Sequence, residues 1–308
     1  MDNESYSTEH DNASGIIISL VYISVTIFSI PANLLSLFEF GRKLKKKNEL
    51  AVYYLNLAVA DLLLSITLPC WVYIVLQNQS VKKSAALTFN CFLSFLNYYG
   101  SAAFLSCIAV DRYLVIVYPL RFHVLRRIKF AVHISFIIWT LQLLFTSVLL
   151  FSRETITDSN SSSFCTKVCS DNVRAFNFVR FFIGFFIPSL LIIFCGYGTY
   201  KGVMQNKATG KHEKSTVNKL LLGIIVNFLI CFGPYHVVLL ICSVENYESS
   251  QSLELALTIA GCLITLNCIA DPLLYCFVHE KARKNFVNTI LLCKKRYCFY
   301  TARLMALN

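Results

Sequence analysis

Two aspartates, Asp61 and Asp271, each lie within a long apolar run of a 308-residue chain. A carboxylate so placed is expensive unless it is paired or hydrated, and two that come close cannot both ionise cheaply. Such a pair can hold a sodium ion or share a proton. A third acid, Asp111, is followed directly by Arg112 in "CIAVDRYLVIVYPL" (Cys107 to Leu120), an adjacent acid and base in an otherwise apolar stretch. Standing alone, such a pair at a helix end is a snorkelling anchor. The sequence has no HExxH and no paired nucleophile and base, so it does not read as an enzyme, and no metal centre or other cofactor is expected.

The elements that carry these groups are dictated by lipid. Hydrophobic residues make up 56% of the chain and charged ones 15%, with a mean hydropathy of +0.60, more apolar than a soluble fold of this length needs. Seven apolar runs are long enough to cross about 30 Å of hydrocarbon: Ile16 to Phe40, Leu50 to Leu76, Ala85 to Val117, Phe130 to Phe151, Val173 to Met204, Val217 to Val244 and Leu253 to Val278. Their apolarity does not alternate, and backbone groups in lipid must bond within their own segment. The spans are therefore helices and not barrel strands. Acidic residues (Asp2, Glu4, Glu9, Asp11) precede the first run and no small-residue cleavage site follows it, so it reads as a retained span and not a signal peptide.

Orientation follows from the basic residues. With the amino terminus outside, the inner segments hold Arg42, Lys43 and Lys45 to Lys47, then Arg121, Arg126, Arg127 and Lys129, then Lys201 to Lys219, and a basic tail. The net charge of +11 is thus a positive-inside signature with attraction to membrane lipids, not a nucleic-acid footprint. Four N-x-Ser/Thr acceptors, at Asn3, Asn12, Asn78 and Asn160, all fall on the outer side, as glycosylation requires.

Asn33 in span one, "LAVADLL" around Asp61, "DRY" at Asp111 to Tyr113, Trp139 in span four, Pro188 in span five, "CFGP" at Cys231 to Pro234 and "DPLLY" at Asp271 to Tyr275 occur in order across seven spans. Together they resemble the rhodopsin-like G-protein-coupled receptors. The resemblance implies an all-α seven-helix bundle with a short amphipathic eighth helix. It implies an extracellular glycosylated amino terminus over 1–15, a receptor domain over 16–278 and a cytoplasmic helix and tail over 279–308, in a multi-pass plasma-membrane protein. It further implies that Arg112 is released from Asp111 on activation to meet a heterotrimeric G protein, that Tyr275 swings inward, and that Phe232 and Pro234 form the hinge of span six. Lys214 stands near where many relatives carry an acid that holds the arginine, which suggests a weak second lock and high basal activity. Helix packing and the family fold bring Asp61 and Asp271 together with Asn97, Ser101 and Asn267, a site suited to a sodium ion or a shared proton.

Residues Phe228 to His236, Thr67 to Pro69 and "LNCIADPLLYCFV" (Leu266 to Val278) look most like the proton-sensing and lysolipid-linked subgroup. That implies protons or a small lysolipid-like ligand as the extracellular signal. In the proton-sensing members an acid stands three residues after the span-four tryptophan; here that position is Gln142. His236 can still respond to acid, since imidazole titrates at about pH 6.5, although a pocket hydrogen-bonder is the plainer reading. For a lysolipid, Arg180 is a candidate headgroup contact beside an apolar wall of Trp71, Phe95 and Tyr98, its alternative being an arginine snorkelling to the outer interface. A chemokine-like or other peptide receptor is a weaker reading, and a transporter is disfavoured because no internal repeat is present.

The family's outer disulfide joins the top of span three to the second outer loop, yet Leu87 occupies the usual position and Cys91 lies one turn deeper. Cys165 and Cys169 in the loop could bridge to Cys91 or pair with each other. Cys107, Cys195, Cys231, Cys242, Cys262 and Cys268 read as buried small hydrophobes. Cys293, after an amphipathic segment, is a palmitoylation candidate.

Overall fold

In a computed structural model the backbone is described for residues 2–45, 48–77, 85–119, 121, 127–156, 174–206, 210–244 and 251–278. Side chains are described for the same residues except 2–13, 77, 85, 151–156, 251–252, 254 and 275–278. The side chains of Asn3, Asn12 and Tyr275, together with Asn78, Asn160, Cys165, Cys169, Cys293 and the expected eighth helix, lie outside what is described.

Among the described residues seven long helices form the bundle: α1 (Asp2–Leu44), α2 (Leu50–Gln77), α3 (Ala85–Val117), α4 (Ile128–Ile156), α5 (Arg174–Gln205), α6 (Lys211–Val244) and α7 (Gln251–Val278). All seven are long and apolar enough to span a membrane. Several boundaries differ from those read from the sequence, α4 running on to Ile156 among them. α1 begins at Asp2 and α6 at Lys211, because polar residues such as Glu, Lys and His continue a helix beyond the apolar core at little cost. α5 is not uniform: Phe182–Phe186 forms one π-helical turn between two α-helical stretches. A π-bulge of this kind re-aims the side chains around it.

Lipid replaces water around the bundle, so large apolar side chains such as Phe136, Phe194 and Ile66 point outward. The inward faces pack a cluster that includes Phe104, Ile108, Ile224, Phe228 and Phe232. Prolines 31, 69, 234 and 272 sit inside helices, where packed neighbours tolerate them.

Polar side chains tie helix to helix where the core would otherwise be featureless. Trp139 Nε1 donates to Asn56 Oδ1 at 2.8 Å, and Asn56 Nδ2 donates to Ser135 Oγ at 3.2 Å, joining α2 to α4. Asn33 Nδ2 donates across the bundle to the carbonyl of Cys268 at 2.8 Å, joining α1 to α7. It also reaches the carbonyl of Ser29 at 3.1 Å, and Ser29 Oγ bonds Ser65 Oγ at 2.5 Å. Two buried side chains of α1, Asn33 and Ser29, therefore hold three helices in register. Substitution Asn33→Ala should cost about 1–3 kcal/mol by orphaning the Cys268 carbonyl, read as a lowered unfolding midpoint of the detergent-solubilised protein; an unchanged midpoint would show that the bond carries no stability.

Candidate functional site

The cytoplasmic end of α3 holds Asp111 and Arg112, with Arg112 Nη2 donating to Asp111 Oδ2 at 2.8 Å. Arg112 Nε is buried without a partner, so the pair satisfies only part of the guanidinium. Tyr113 turns away to pack against Tyr118 and Phe194 of α5. Lys214, a cation that cannot hold Arg112 as an acid would, donates from Nζ to the Met204 carbonyl at 3.2 Å, at the end of α5 where the helix dipole favours it.

The five-membered polar site resolves into two groups. In one, Asn97 Nδ2 donates to Asp61 Oδ1 at 3.0 Å and to Ser101 Oγ at 3.1 Å, while Ser101 Oγ donates to Asp61 Oδ1 at 3.3 Å. Asp61 Oδ2 is buried and without a partner. In the other, Asn267 Nδ2 donates to Asp271 Oδ2 at 2.7 Å, and Asn227 of α6 donates to Asn267 Oδ1 at 2.7 Å and to Asp271 Oδ1 at 3.0 Å. Cys268 Sγ, 3.9 Å from Asn97 Nδ2, lies between them. Asn227 escaped the sequence reading because a single asparagine in an apolar run looks incidental. The pattern that could have exposed it is Gly223, Asn227 and Cys231 at intervals of four, one small and polar stripe along α6.

Gln142 does not join the acids. Its Nε2 donates to the Leu96 carbonyl at 2.5 Å, and Gly100 of α3 leaves room for the amide, since a methyl there would lie 2.9 Å from Nε2.

The outer half of the bundle converges on Arg180. This side chain is 0% exposed. Nε donates to Tyr99 Oη at 2.9 Å, Nη1 to Asn177 Oδ1 at 3.2 Å and Nη2 to Tyr235 Oη at 2.5 Å. The guanidinium carbon stands 5.0 Å from the Phe95 ring centre and 5.7 Å from that of Tyr235. The snorkelling alternative is therefore overturned: the side chain points into the bundle, held by α3 and α6. Tyr98 lies edge-on to Phe95 and to Tyr235, and Trp71 packs beside Tyr98 while donating to Ser94 Oγ at 3.2 Å. Tyr99, Asn177 and Tyr235 were not read as site residues, since their roles depend on which neighbour points inward.

His236 sits next to this pocket. Its Nδ1 faces the Phe232 carbonyl at 2.9 Å and carries the hydrogen of that bond; Nε2 is buried with no partner. The π-helical turn brings Gly184 against it. A methyl on Gly184 would lie 2.5 Å from His236 Nε2 and 2.8 Å from Tyr99 Cε1. Cys91 is disulfide-bonded, which removes the reading that left it free. Cys242 is disulfide-bonded as well, correcting its assignment as a small hydrophobe; burial alone cannot distinguish a thiol from a half-cystine. Cys107, Cys195, Cys231, Cys262 and Cys268 are free. The overpacking imposed by Gly184→Ala should cost about 1–3 kcal/mol, a lowered unfolding midpoint that His236→Ala, by making space, partly restores; no loss in the single variant would show that the ring and the turn can part freely.

The family described as "7 transmembrane receptor (rhodopsin family)" matches residues 32–275. G-protein coupled receptor 65 of Homo sapiens is 39% identical over 96% of this chain and 92% of its own length. G-protein coupled receptor 68 of Homo sapiens is 37% identical over 92% of this chain and 80% of its own, and "Probable G-protein coupled receptor 132" of Homo sapiens is 30% identical over 88% and 73%. With seven membrane-spanning helices and the Asp111–Arg112 pair at the inner end of α3, the chain belongs to the rhodopsin family of seven-transmembrane, G-protein-coupled receptors.

Proposed function

We propose that the extracellular stimulus of this receptor is an anionic amphiphile of lysolipid type whose acid group docks on Arg180. The observation that carries this reading is a guanidinium buried completely with no carboxylate partner among the described residues. A guanidinium stays charged under all physiological conditions, and a buried cation without an anion costs several kcal/mol. Tyrosine hydroxyls and the Phe95 face offset part of that cost, each ring by about 0.5–2 kcal/mol. Three of five N–H groups are committed to Tyr99, Asn177 and Tyr235. The two that remain match the bidentate demand of a carboxylate or phosphate, while Trp71, Phe95 and Tyr98 offer the apolar surface an acyl chain needs.

The same geometry disfavours His236 as a proton sensor. Protonating it would place a second cation beside Tyr235, whose ring already lies under Arg180, with no carboxylate bonded to it among the described residues. In membranes of expressing cells, lysophosphatidic acid and a long-chain fatty acid should stimulate nucleotide exchange on a G protein where an uncharged monoacylglycerol does not, and Arg180→Gln should weaken their potency at least tenfold, the loss of one charge-assisted bond. Stimulation by acidification alone, untouched in Arg180→Gln, would overturn this assignment.

Gln142 supports a further point about protons. Its donation to the Leu96 carbonyl is a bond that a protonated carboxyl could make and an ionised carboxylate could not. This receptor thus carries, in permanent form, the donor that an acid at this position would present only at low pH. Gln142→Glu should therefore signal like the parent in acid and depart from it as pH rises and the carboxyl ionises; identical pH profiles for parent and variant would exclude this role.

For the buried polar site, Asp61 Oδ2, Ser101 Oγ and Asn97 form a donor set suited to a sodium ion, the partnerless carboxylate oxygen being the observation that favours it. The cytoplasmic partner is a heterotrimeric G protein, with Arg112 proposed as the residue released to meet it and the Phe232–Pro234 segment of α6 and Tyr275 of α7 as the moving parts.

A further inference from the structure

Asn227 is the one amide on α6 that faces α7 from the middle of the bundle, and nothing in the ligand pocket or the Asp111–Arg112 pair uses it. Both of its donors and its oxygen are engaged. Nδ2 donates to Asn267 Oδ1 and Asp271 Oδ1, at 2.7 and 3.0 Å, and Oδ1 accepts from Cys231 Sγ at 3.3 Å. One turn toward the cytoplasm the helices are closer still: a methyl on Gly223 would lie 2.5 Å from Leu274 Cδ2. Gly223, Asn227 and Cys231 thus form one face of α6 zipped onto Asn267, Asp271 and Leu274 of α7.

Position along the helix gives the contact its consequence. Pro234 interrupts α6, and Asn227 precedes it by seven residues, about 10 Å of helix on the cytoplasmic limb. A kink change of about 20° at Pro234 would carry a point at that distance through about 3.5 Å, enough to break both bonds to α7. Asp271 and Asn267 stay behind on their own helix. Asp271 would then lose a donor to its carboxylate while still surrounded by packed side chains, and an acceptor buried without its donor is costly.

We propose that Asn227 is the positioning residue that clasps the cytoplasmic limb of α6 to the Asp271 half of the buried polar site, and that this clasp sets the receptor's activity in the absence of ligand. It holds the resting arrangement by bonds that the hinge motion must break. Its removal lowers the cost of opening without touching Arg180, so the inference stands or falls independently of the ligand.

The test is nucleotide exchange on a G protein in membranes without added ligand, normalised to receptor at the cell surface. Asn227→Leu keeps the volume and removes every hydrogen bond; basal exchange should rise about tenfold, equivalent to about 1.4 kcal/mol. Asp271→Asn should raise it less, and the double variant should rise no further than Asn227→Leu alone, the non-additivity of two groups in one interaction. A merely structural asparagine would lower the unfolding midpoint without raising exchange. Should Asn227→Leu be retained inside the cell, Asn227→Ser, which keeps one donor, is read in the same assay and should give an intermediate rise. Unchanged or reduced basal exchange in a surface-expressed variant, or additive effects in the double variant, would overturn the clasp.

Discussion

Hydrocarbon offers no hydrogen bond to any group placed in it, and the architecture of this receptor is organised by that constraint. Backbone groups meet it by forming helices. Side chains meet it by finding one another across helix boundaries, and the bundle is therefore held by a small number of polar contacts set in a large apolar surround. Asn33 to the Cys268 carbonyl, Trp139 to Asn56, and the groups around Asp61 and Asp271 are all of this kind. Apolar packing alone is nearly indifferent to whether a helix meets another helix or lipid. Polar contacts are not indifferent, and they fix which helix face meets which.

The same constraint makes unsatisfied groups informative. Asp61 Oδ2, Arg112 Nε and His236 Nε2 are all buried and without partners, and they belong in turn to the proposed ion site, the proposed coupling pair and the surroundings of the proposed ligand contact. Arg180 is satisfied only by neutral acceptors and ring faces. In a soluble core such groups would be eliminated or paired. Here they stand at the outer pocket, the mid-membrane polar site and the inner end of α3, the three levels through which a signal must pass.

Spans, topology and the acid pair were legible because each is written in a single residue property at a long period. Apolar runs give the helices, basic residues the orientation, and an aspartate within such a run announces its own cost. Site composition was less legible. Tyr99 and Tyr235 are the immediate neighbours of Tyr98 and His236, and only the helix phase decides which of adjacent residues reaches Arg180. The π-helical turn at Phe182–Phe186 shifts that phase within α5, so counting by 3.6 from Pro188 cannot recover the orientation of Arg180. The five-membered acid site was extended by the same kind of fact: Asn227 of α6 bonds the Asn267 and Asp271 half, while Cys268 Sγ stands against Asn97 of the Asp61 half.

These levels are joined physically by aromatic rings on either side of Pro234. Phe185 of α5 stacks on His236 at 5.6 Å and 15°, and on Phe228 at 5.8 Å and 8°. Phe228 stacks in turn on Phe232 at 4.8 Å and 18°. His236 lies on the outer side of Pro234 and Phe228 on the inner side, so one ring from α5 is packed against both limbs of α6. A change in the kink at Pro234 cannot preserve both stacks, each worth about 0.5–1.5 kcal/mol beyond simple burial. Tyr235, bonded to Arg180, and His236 belong to the same helical turn, while Asn227 adjoins Phe228 at the other end. A pull on the Arg180–Tyr235 bond and a release of the proposed Asn227 clasp would therefore act on one helix from its two limbs, and a helix that both sites bias is the physical condition for one site to influence another.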